Sequence, residues 1–393
     1  MNIAWWLERA ADENPGQLAL VEARTGRAWT YGQLRQRAAA IADVLAGEYG
    51  VTADDVVASI MPDDCWHTAL FFALQRLGAV FSGFNRMLTT EKFVTDADRL
   101  GARLVVVGGA FQSPGEQLVA RSGIRQALLC DPDDTSEQPN LARLAAAGPA
   151  GPVRRVAPRQ AGDAAAVNFT GGTSGVSKGV IFPHGALTLS AQGSLFYDRL
   201  VSRDVNLSCI SLYHSGGIHD AVKWVMAGAT NVLLGGWDAG LAAAAIERYR
   251  PTWIYFWVST MARDLMRHPA WPDLPLAGVK TIVSGEAVPV ALQSALLERG
   301  LAMSNSYGMS ETMPVGILKP VVAYGDTPPL GSCGKPVPEL CEAVLKDPQT
   351  GARITEPGIT GEVCVRGPVV SPGYYNDPER TAAATDSEGF LHT

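Results

Sequence analysis

The segment Thr170-Gly171-Gly172-Thr173-Ser174-Gly175-Val176-Ser177-Lys178-Gly179 gathers glycines, hydroxyls and one lysine into ten residues. Glycines let backbone amides close around an anion, and hydroxyls and a lysine add donors aimed at phosphate oxygens. Ala164 to Ala166 and Val167 lead into it like a buried strand. The composition is that of a triphosphate cradle. It is not the Walker loop, in which Gly-Lys is followed directly by Ser or Thr, because Gly179 follows Lys178. A Gly/Ser/Thr-rich loop is often only a flexible turn; the lysine at this spacing after a strand favours phosphate binding.

The loop is similar to the Thr-Ser-Gly-Thr-Thr-Gly-x-Pro-Lys-Gly signature of the adenylate-forming superfamily. That superfamily comprises acyl-CoA synthetases, aryl-CoA ligases, luciferases and peptide-synthetase adenylation domains. Further blocks follow in the same order. Ser306-Tyr307-Gly308-Met309-Ser310-Glu311-Thr312 resembles its Tyr-Gly-Met-Thr-Glu block, and Ser284-Gly285-Glu286-Ala287-Val288-Pro289 its Gly-Ala-x-Pro-Leu block. Gly331 to Pro338 resembles its Gly-x-x-Gly-x-Pro segment. Gly361 to Pro368, Gly373-Tyr374 and Pro378 to Thr381 resemble the stretch that leads into a ribose-binding aspartate. Thr30-Tyr31, Asp54 to Val57 and Gly78 to Val80 fit the opening region. On these blocks the chain is identified as a member over essentially its whole length. It departs from the pattern at Gly171, where serine is common, at Ser177, where proline is usual, at Glu286 for alanine and at Ser310 for threonine.

The resemblance implies ATP-dependent joining of a carboxylic acid to AMP, followed by transfer to CoA. One anion must attack another, so charge has to be neutralised and geometry held. Glu311 is the implied Mg²⁺ holder and the Ser310 hydroxyl the α-phosphate contact. Thr170, Gly171, Gly172, Thr173, Ser174, Gly175 and Lys178 are the implied cradle for the β- and γ-phosphates, with Lys178 ranked below Thr173 and Glu311 for effect. Adenine is expected between Gly285-Glu286-Ala287 and the backbone of Asn305, Ser306, Tyr307, Gly308 and Met309. Tyr307 would stack on the base and Asn305 read its amino edge; Glu286 is left without a role. Tyr213-His214-Ser215-Gly216-Gly217 is similar to the superfamily's Phe-His-x-x-Gly segment, which gates the acid pocket. His214 is therefore expected to act with Glu311, Ser310 and Thr173 in catalysis. Gly216 and Gly217 leave room for the acid, and Asp220, Trp257, Val258, Gly285, Gly308, Met309, Met313 and Val315 are the expected walls.

Amino-acid-activating relatives carry an aspartate just after the aromatic residue of this segment, where this chain has Ser215 and Gly216. A fatty, aryl or polycyclic acid is thus expected rather than an α-amino acid. Two other readings stay open: transfer to a carrier-protein phosphopantetheine, and a non-catalytic nucleotide-binding scaffold. A dinucleotide oxidoreductase is excluded, since no Gly-x-Gly-x-x-Gly follows an early strand.

The elements that must position these residues are legible in outline. At 393 residues the chain is too long for one compact core. A net charge of -7 argues against nucleic acid or an anionic membrane as partner, and binding of an anionic nucleotide must come from local donors. The six cysteines lack a C-x-x-C pair and read as reduced thiols, and no secretory signal or membrane-spanning run stands out, so a cytoplasmic protein is expected. Thr30 with Gln33 predicts a capping box, with Leu34, Ala38, Ile41 and Leu45 on one helical face. Apolar runs at Val56–Ile60, Leu104–Val107, Leu128–Cys130, Leu207–Leu212, Asn231–Leu234, Thr252–Val258 and Val279–Ser284 read as buried strands. Helical stretches such as Leu241–Tyr249 and Val290–Glu298 alternate with them, and Ala145–Pro158 reads as a surface connection. The alternation predicts an α/β protein of mainly parallel sheets covered by helices. The expected division is a first lobe over 1–190, a second over 191–325 and a β-rich subdomain over 326–393. The resemblance adds a smaller C-terminal domain with a catalytic lysine, expected beyond Thr393, and a homodimer as a further partner expectation.

Overall fold

The computed structural model describes residues 1–146, 148, 155–170, 177–313, 318–319 and 329–393. Its elements run α1 (Ala4–Glu13), β1 (Leu18–Glu22), β2 (Ala28–Thr30), α2 (Tyr31–Gly47), β3 (Val56–Ile60), α3 (Cys65–Leu77), β4 (Val80–Gly83), α4 (Thr90–Leu100), β5 (Leu104–Val107), α5 (Gln112–Arg121), β6 (Gln126–Leu129) and α6 (Leu141–Ala146). They continue with β7 (Ala164–Thr170), β8 (Lys178–Pro183), α7 (His184–Tyr197), β9 (Val205–Ser208), α8 (Ser215–Ala227), β10 (Thr230–Leu233), α9 (Ala239–Tyr249), β11 (Trp253–Phe256), α10 (Ser259–Arg267), β12 (Lys280–Val283), α11 (Val290–Glu298) and β13 (Ala302–Asn305). The last part holds β14 (Leu318–Lys319), β15 (Lys335–Pro336), β16 (Glu342–Lys346), β17 (Arg353–Ile354), β18 (Glu362–Arg366), α12 (Pro378–Ala383) and β19 (Leu391–His392).

Local chemistry accounts for many of these boundaries. The Thr30 hydroxyl accepts from the Gln33 N–H while the Gln33 side chain accepts from the Thr30 N–H, which satisfies two donors at the start of α2. Leu34, Ala38, Ile41 and Leu45 are all buried. Asp64 caps α3, a helix buried all round, as its run of apolar residues requires.

The strands assemble into two large sheets. One has the order β6-β5-β3-β4-β7-β8, parallel except for the β7–β8 hairpin that brackets the glycine-rich loop. The other has the order β13-β12-β11-β9-β10-β1-β2, parallel except for β2 at its edge. Sheet membership does not follow a division at residue 190, because β1 and β2 pair into the second sheet beside β10. Helices α1, α2, α3, α7 and α8 share one apolar core with side chains from both sheets. Strands β16 to β19 form a small antiparallel sheet of their own, as the change of texture after residue 320 predicts. Among the described residues no helix is long and apolar enough to cross a membrane, and all six cysteines are free.

Five expected strands stop earlier than their apolar runs, the first being Leu128–Cys130, which ends at Leu129. The run Leu207–Leu212 leaves the sheet after Ser208, Asn231–Leu234 after Leu233, Thr252–Val258 after Phe256 and Val279–Ser284 after Val283. Each overshoot lies at the carboxyl end of a parallel strand, where open α/β sheets bind their ligands. Cys209, Ile210, Trp257, Val258 and Ser284 are apolar or uncharged because they line a cavity there, not because they continue a sheet.

Candidate functional site

Beyond the carboxyl end of β9 the chain turns at Cys209–His214 and enters α8. Asp63, just past β3 of the other sheet, holds this turn. Its carboxylate accepts from the Ser211 hydroxyl and, at 3.3 Å, from the Leu212 N–H, and it pairs with Arg86 at 2.7 Å. One side chain thus ties the two sheets together at the point where the turn leaves the second.

The turn borders two cavities. The larger encloses about 550 Å³ and is walled by Tyr213, Trp237, Trp257, Val258, Met261 and the backbone around Gly308. Tyr255 and Trp257 stack with centroids 5.5 Å apart, which orients the indole that forms one wall. Gly216 makes the space possible: a Cβ there would sit 2.6 Å from the Trp257 ring and 2.7 Å from the Ile210 methyl. The second cavity, about 330 Å³, is bounded by Lys92, Asn168, Phe169, Thr170 and Ser177, at the two ends of the phosphate loop. Tyr213, His214 and Ser310 line both. The Ser310 hydroxyl donates to the Ser215 hydroxyl at 3.0 Å. Burial holds His214 below the usual imidazole range, with nearby Asp63 acting the other way, so the ring favours its neutral form at the junction.

Behind the junction, Glu311 is buried and accepts from the Tyr374 hydroxyl at 2.9 Å. The Lys178 ammonium lies 3.5 Å from the same hydroxyl and 5.1 Å from the ring centroid. Arg99 anchors the far end of the loop by donating to the Ser177 carbonyl, and it pairs with Asp377 at 3.1 Å.

Of the residues expected from sequence, His214, Gly216, Trp257, Val258, Gly285, Gly308, Met309 and Ser310 come together around the larger cavity. Thr170 borders the smaller, and Lys178 and Glu311 meet at Tyr374. Gly171, Gly172, Thr173, Ser174, Gly175 and Val315 lie outside the described residues. Asp220 and Gly217 face away from the acyl cavity, lining a separate space of about 30 Å³. Asp220 pairs there with fully buried Lys223 at 2.6 Å, and Lys223 donates to the Tyr255 hydroxyl at 2.9 Å. Met313 is packed in the core at φ +48 rather than in a pocket wall. Asn305 and Ser306 are buried at the end of β13, Ala287 is exposed, and the Tyr307 hydroxyl donates to the Thr393 hydroxyl at 2.7 Å. Glu286 acquires a role: its carboxylate accepts the Ser259 N–H at 2.7 Å, satisfying an orphan donor at the start of α10. The Ser259 side chain and then this backbone bond hold its carboxyl below the usual range.

Sequence reading missed Asp63, Arg86, Trp237, Met261 and Tyr374. Trp237 after Gly235-Gly236 and Tyr374 after Gly373 carried a signal, an aromatic beside flexible backbone; the others carried none.

The model of the AMP-binding enzyme family matches residues 7–375. The chain belongs to the AMP-binding enzyme family. It is 30% identical over 407 residues to 4-coumarate--CoA ligase 2 of Oryza sativa subsp. japonica, covering 98% of this chain and 70% of that one. It is also 30% identical over 404 residues to a feruloyl-CoA synthase of an Amycolatopsis species, covering 98% and 77%. In structure, this AMP-binding enzyme superposes on the N-terminal domain of FACL13 from Mycobacterium tuberculosis with a TM-score of 0.87 at 22% identity, covering 100% of this chain and 96% of that one. ATP-bound MatB from Rhodopseudomonas palustris gives 0.86 at 25% identity, with 100% and 76% covered. The two helix-covered, mainly parallel sheets are those of this fold, and at the level of the family the expectation of an AMP-forming acid:CoA ligase stands.

Proposed function

We propose that this chain activates a flat, hydrophobic carboxylic acid, an aryl or arylalkenyl acid before a fatty one, to its acyl-adenylate and passes the acyl group to CoA. The observation that carries the reading is the sharing of Tyr213, His214 and Ser310 by two cavities. One cavity is aromatic-walled and sized for a small organic ligand. The other reaches the ends of the phosphate loop. An acid seated in the first presents its carboxylate to a nucleotide seated along the second only at their junction. Relatives named for 4-coumarate and ferulate are similar over nearly all of this chain, which supports an aromatic acid.

In the first step a carboxylate oxygen attacks the α-phosphorus of ATP and the bond to the departing pyrophosphate breaks. The Ser310 hydroxyl lies at the junction, where it can donate to an α-phosphate oxygen. Neutral His214 can donate to or orient the incoming carboxylate without holding it as an ion pair. Thr170 and Lys178, with the loop between them, neutralise and bind the departing phosphates. Magnesium fits the donor set: Glu311 offers a buried, hard oxygen ligand beside the loop, and this ion takes one or two carboxylates plus phosphate oxygens. When bound it would offset phosphate charge. In the second step the CoA sulfur attacks the acyl carbon and AMP leaves.

The test is acid-dependent turnover across a panel of cinnamic, benzoic, fused-ring and fatty acids, with AMP and acyl-CoA followed together. Both products rising together with an aromatic acid supports the reading. Adenylate accumulating with CoA present, and consumed only by a holo carrier protein, moves the acceptor to that protein. ATP binding with no turnover on any acid leaves a scaffold.

A further inference from the structure

A short strap, residues 371–377, lies along the free edge of β8. The Ile181 N–H donates to the Gly373 carbonyl at 3.2 Å, the Tyr375 N–H to the Gly179 carbonyl at 2.7 Å, and the Ser371 hydroxyl to the Ile181 carbonyl at 2.8 Å. The strap is pinned at both ends. The Ser371 N–H donates to the Glu311 carbonyl at 2.6 Å, and Asn376 donates to the carbonyl of Arg99, whose guanidinium holds Ser177. Gly373 sits at φ +141 with the Thr381 side chain pressed against it, so the tight turn before Tyr374 has no room for a side chain.

This path delivers Tyr374 between two groups that are far apart in sequence and opposite in charge. Its hydroxyl donates to the Glu311 Oε1, while its ring and hydroxyl oxygen face the Lys178 ammonium. A carboxylate held at one oxygen has the other directed for a further ligand. A lysine already resting on a ring face near a hydroxyl loses little freedom when a phosphate replaces water.

We propose that Tyr374 is a positioning residue for the metal–nucleotide complex: it fixes the Glu311 carboxylate and parks Lys178 at the mouth of the phosphate loop before the ligand arrives. The inference rests on the nucleotide-activating reading above, and it names a residue outside the loop and the Glu311 block.

Tyr374→Phe keeps the ring and removes only the hydroxyl. Binding is read with Mn²⁺ in place of Mg²⁺, from loss of the free-ion EPR signal in the presence of ATP, alongside a Mg²⁺ titration of adenylation. The expected result is a rise of about tenfold in the Mn²⁺·ATP dissociation constant, the size of one lost hydrogen bond to a charged group. The Mg²⁺ concentration for half-maximal rate rises in parallel and the KM for the acid stays unchanged. In a Glu311→Gln background the same substitution is expected to cost less than twofold, since its effect runs through that carboxylate. Equal Mn²⁺·ATP binding by wild type and Tyr374→Phe overturns the inference, even if the variant melts at a lower temperature. Full additivity with Glu311→Gln overturns it as well. A wild-type protein that binds no Mn²⁺·ATP overturns both this inference and the nucleotide-activating reading.

Discussion

Ser310 and Ser215 meet through a 3.0 Å hydrogen bond between hydroxyls, joining the short turn after β13 to the first turn of α8. Ser310 lines both cavities and Ser215 the larger, so the contact sits where the two meet. Ser310→Ala is expected to lower kcat for adenylation by about 100-fold, the scale of one lost donor to developing charge, with acid KM changed less than threefold. Ser310→Thr keeps the hydroxyl and is expected to restore most of the rate. Stopped-flow pyrophosphate release on the three proteins checks this.

Gly216 lines the acyl cavity, and a methyl there collides with Trp257 and Ile210. Gly216→Ala is expected to push the indole into the cavity. The strain of such overpacking, about 1–3 kcal/mol, corresponds to a loss of roughly five- to 150-fold in kcat/KM for a bulky aromatic acid. A two- or three-carbon acid should lose far less. Measuring kcat/KM for both acids gives the ratio, and equal losses would mean that Gly216 serves folding rather than specificity.

The Asp220–Lys223 pair is buried within α8, where Asp220 lines a separate small space and not the acyl cavity. Burial pushes the Asp220 carboxyl up, and the Lys223 ammonium opposes that shift. Removing one partner leaves the other unpaired in the core, so Lys223→Met is expected to cost about 3–5 kcal/mol of stability. The double variant Lys223→Met/Asp220→Leu should recover most of it. Chemical denaturation gives these values, and the acid KM of the double variant should match wild type if Asp220 is a structural anchor and not an acyl wall.

Burial also sets a pH dependence of stability. It pushes His67 down to about 4 and His184 down to about 3, while it pushes Asp64 up to about 7. Each histidine binds less proton folded than unfolded, so its contribution is complete above about 6.5 and is lost as pH falls toward the folded value. Asp64 binds more proton folded than unfolded, so its contribution runs the other way and is lost as pH rises through about 7. Between about pH 6 and 4.5 two histidines oppose one carboxyl. The net effect of these three groups is a loss of about 1.4 kcal/mol per pH unit on acidification. Thermal melts across this range test it, and His67→Gln should flatten the slope by about one proton.

The amino-acid sequence by itself determined the features that depend on neighbours a few residues apart. The capping box at Thr30, the helix Val290–Glu298 and the strand before the phosphate loop each follow from spacing within one element. The alternation of strands and helices was legible for the same reason. Other features needed tertiary structure because they form between segments whose adjacency is set by sheet order. Placing β1 beside β10 sets Glu22 next to Leu233, in a cavity it shares with Asp63 from the other sheet, and no local period announces a pairing over such separations. The apolar residues beyond β9 and β11 look like strand in sequence because a cavity wall and a sheet face ask for the same side chains. Asp220 and Glu286 show the converse. Glu286 stood inside a motif and Asp220 was an expected wall beyond one, yet Asp220 found Lys223 three residues along a buried helix and Glu286 found the open N–H of Ser259. Tyr374 reaches Glu311 only because the strap docks on β8, so packing, which makes an unpartnered buried polar group costly, decided what these residues do.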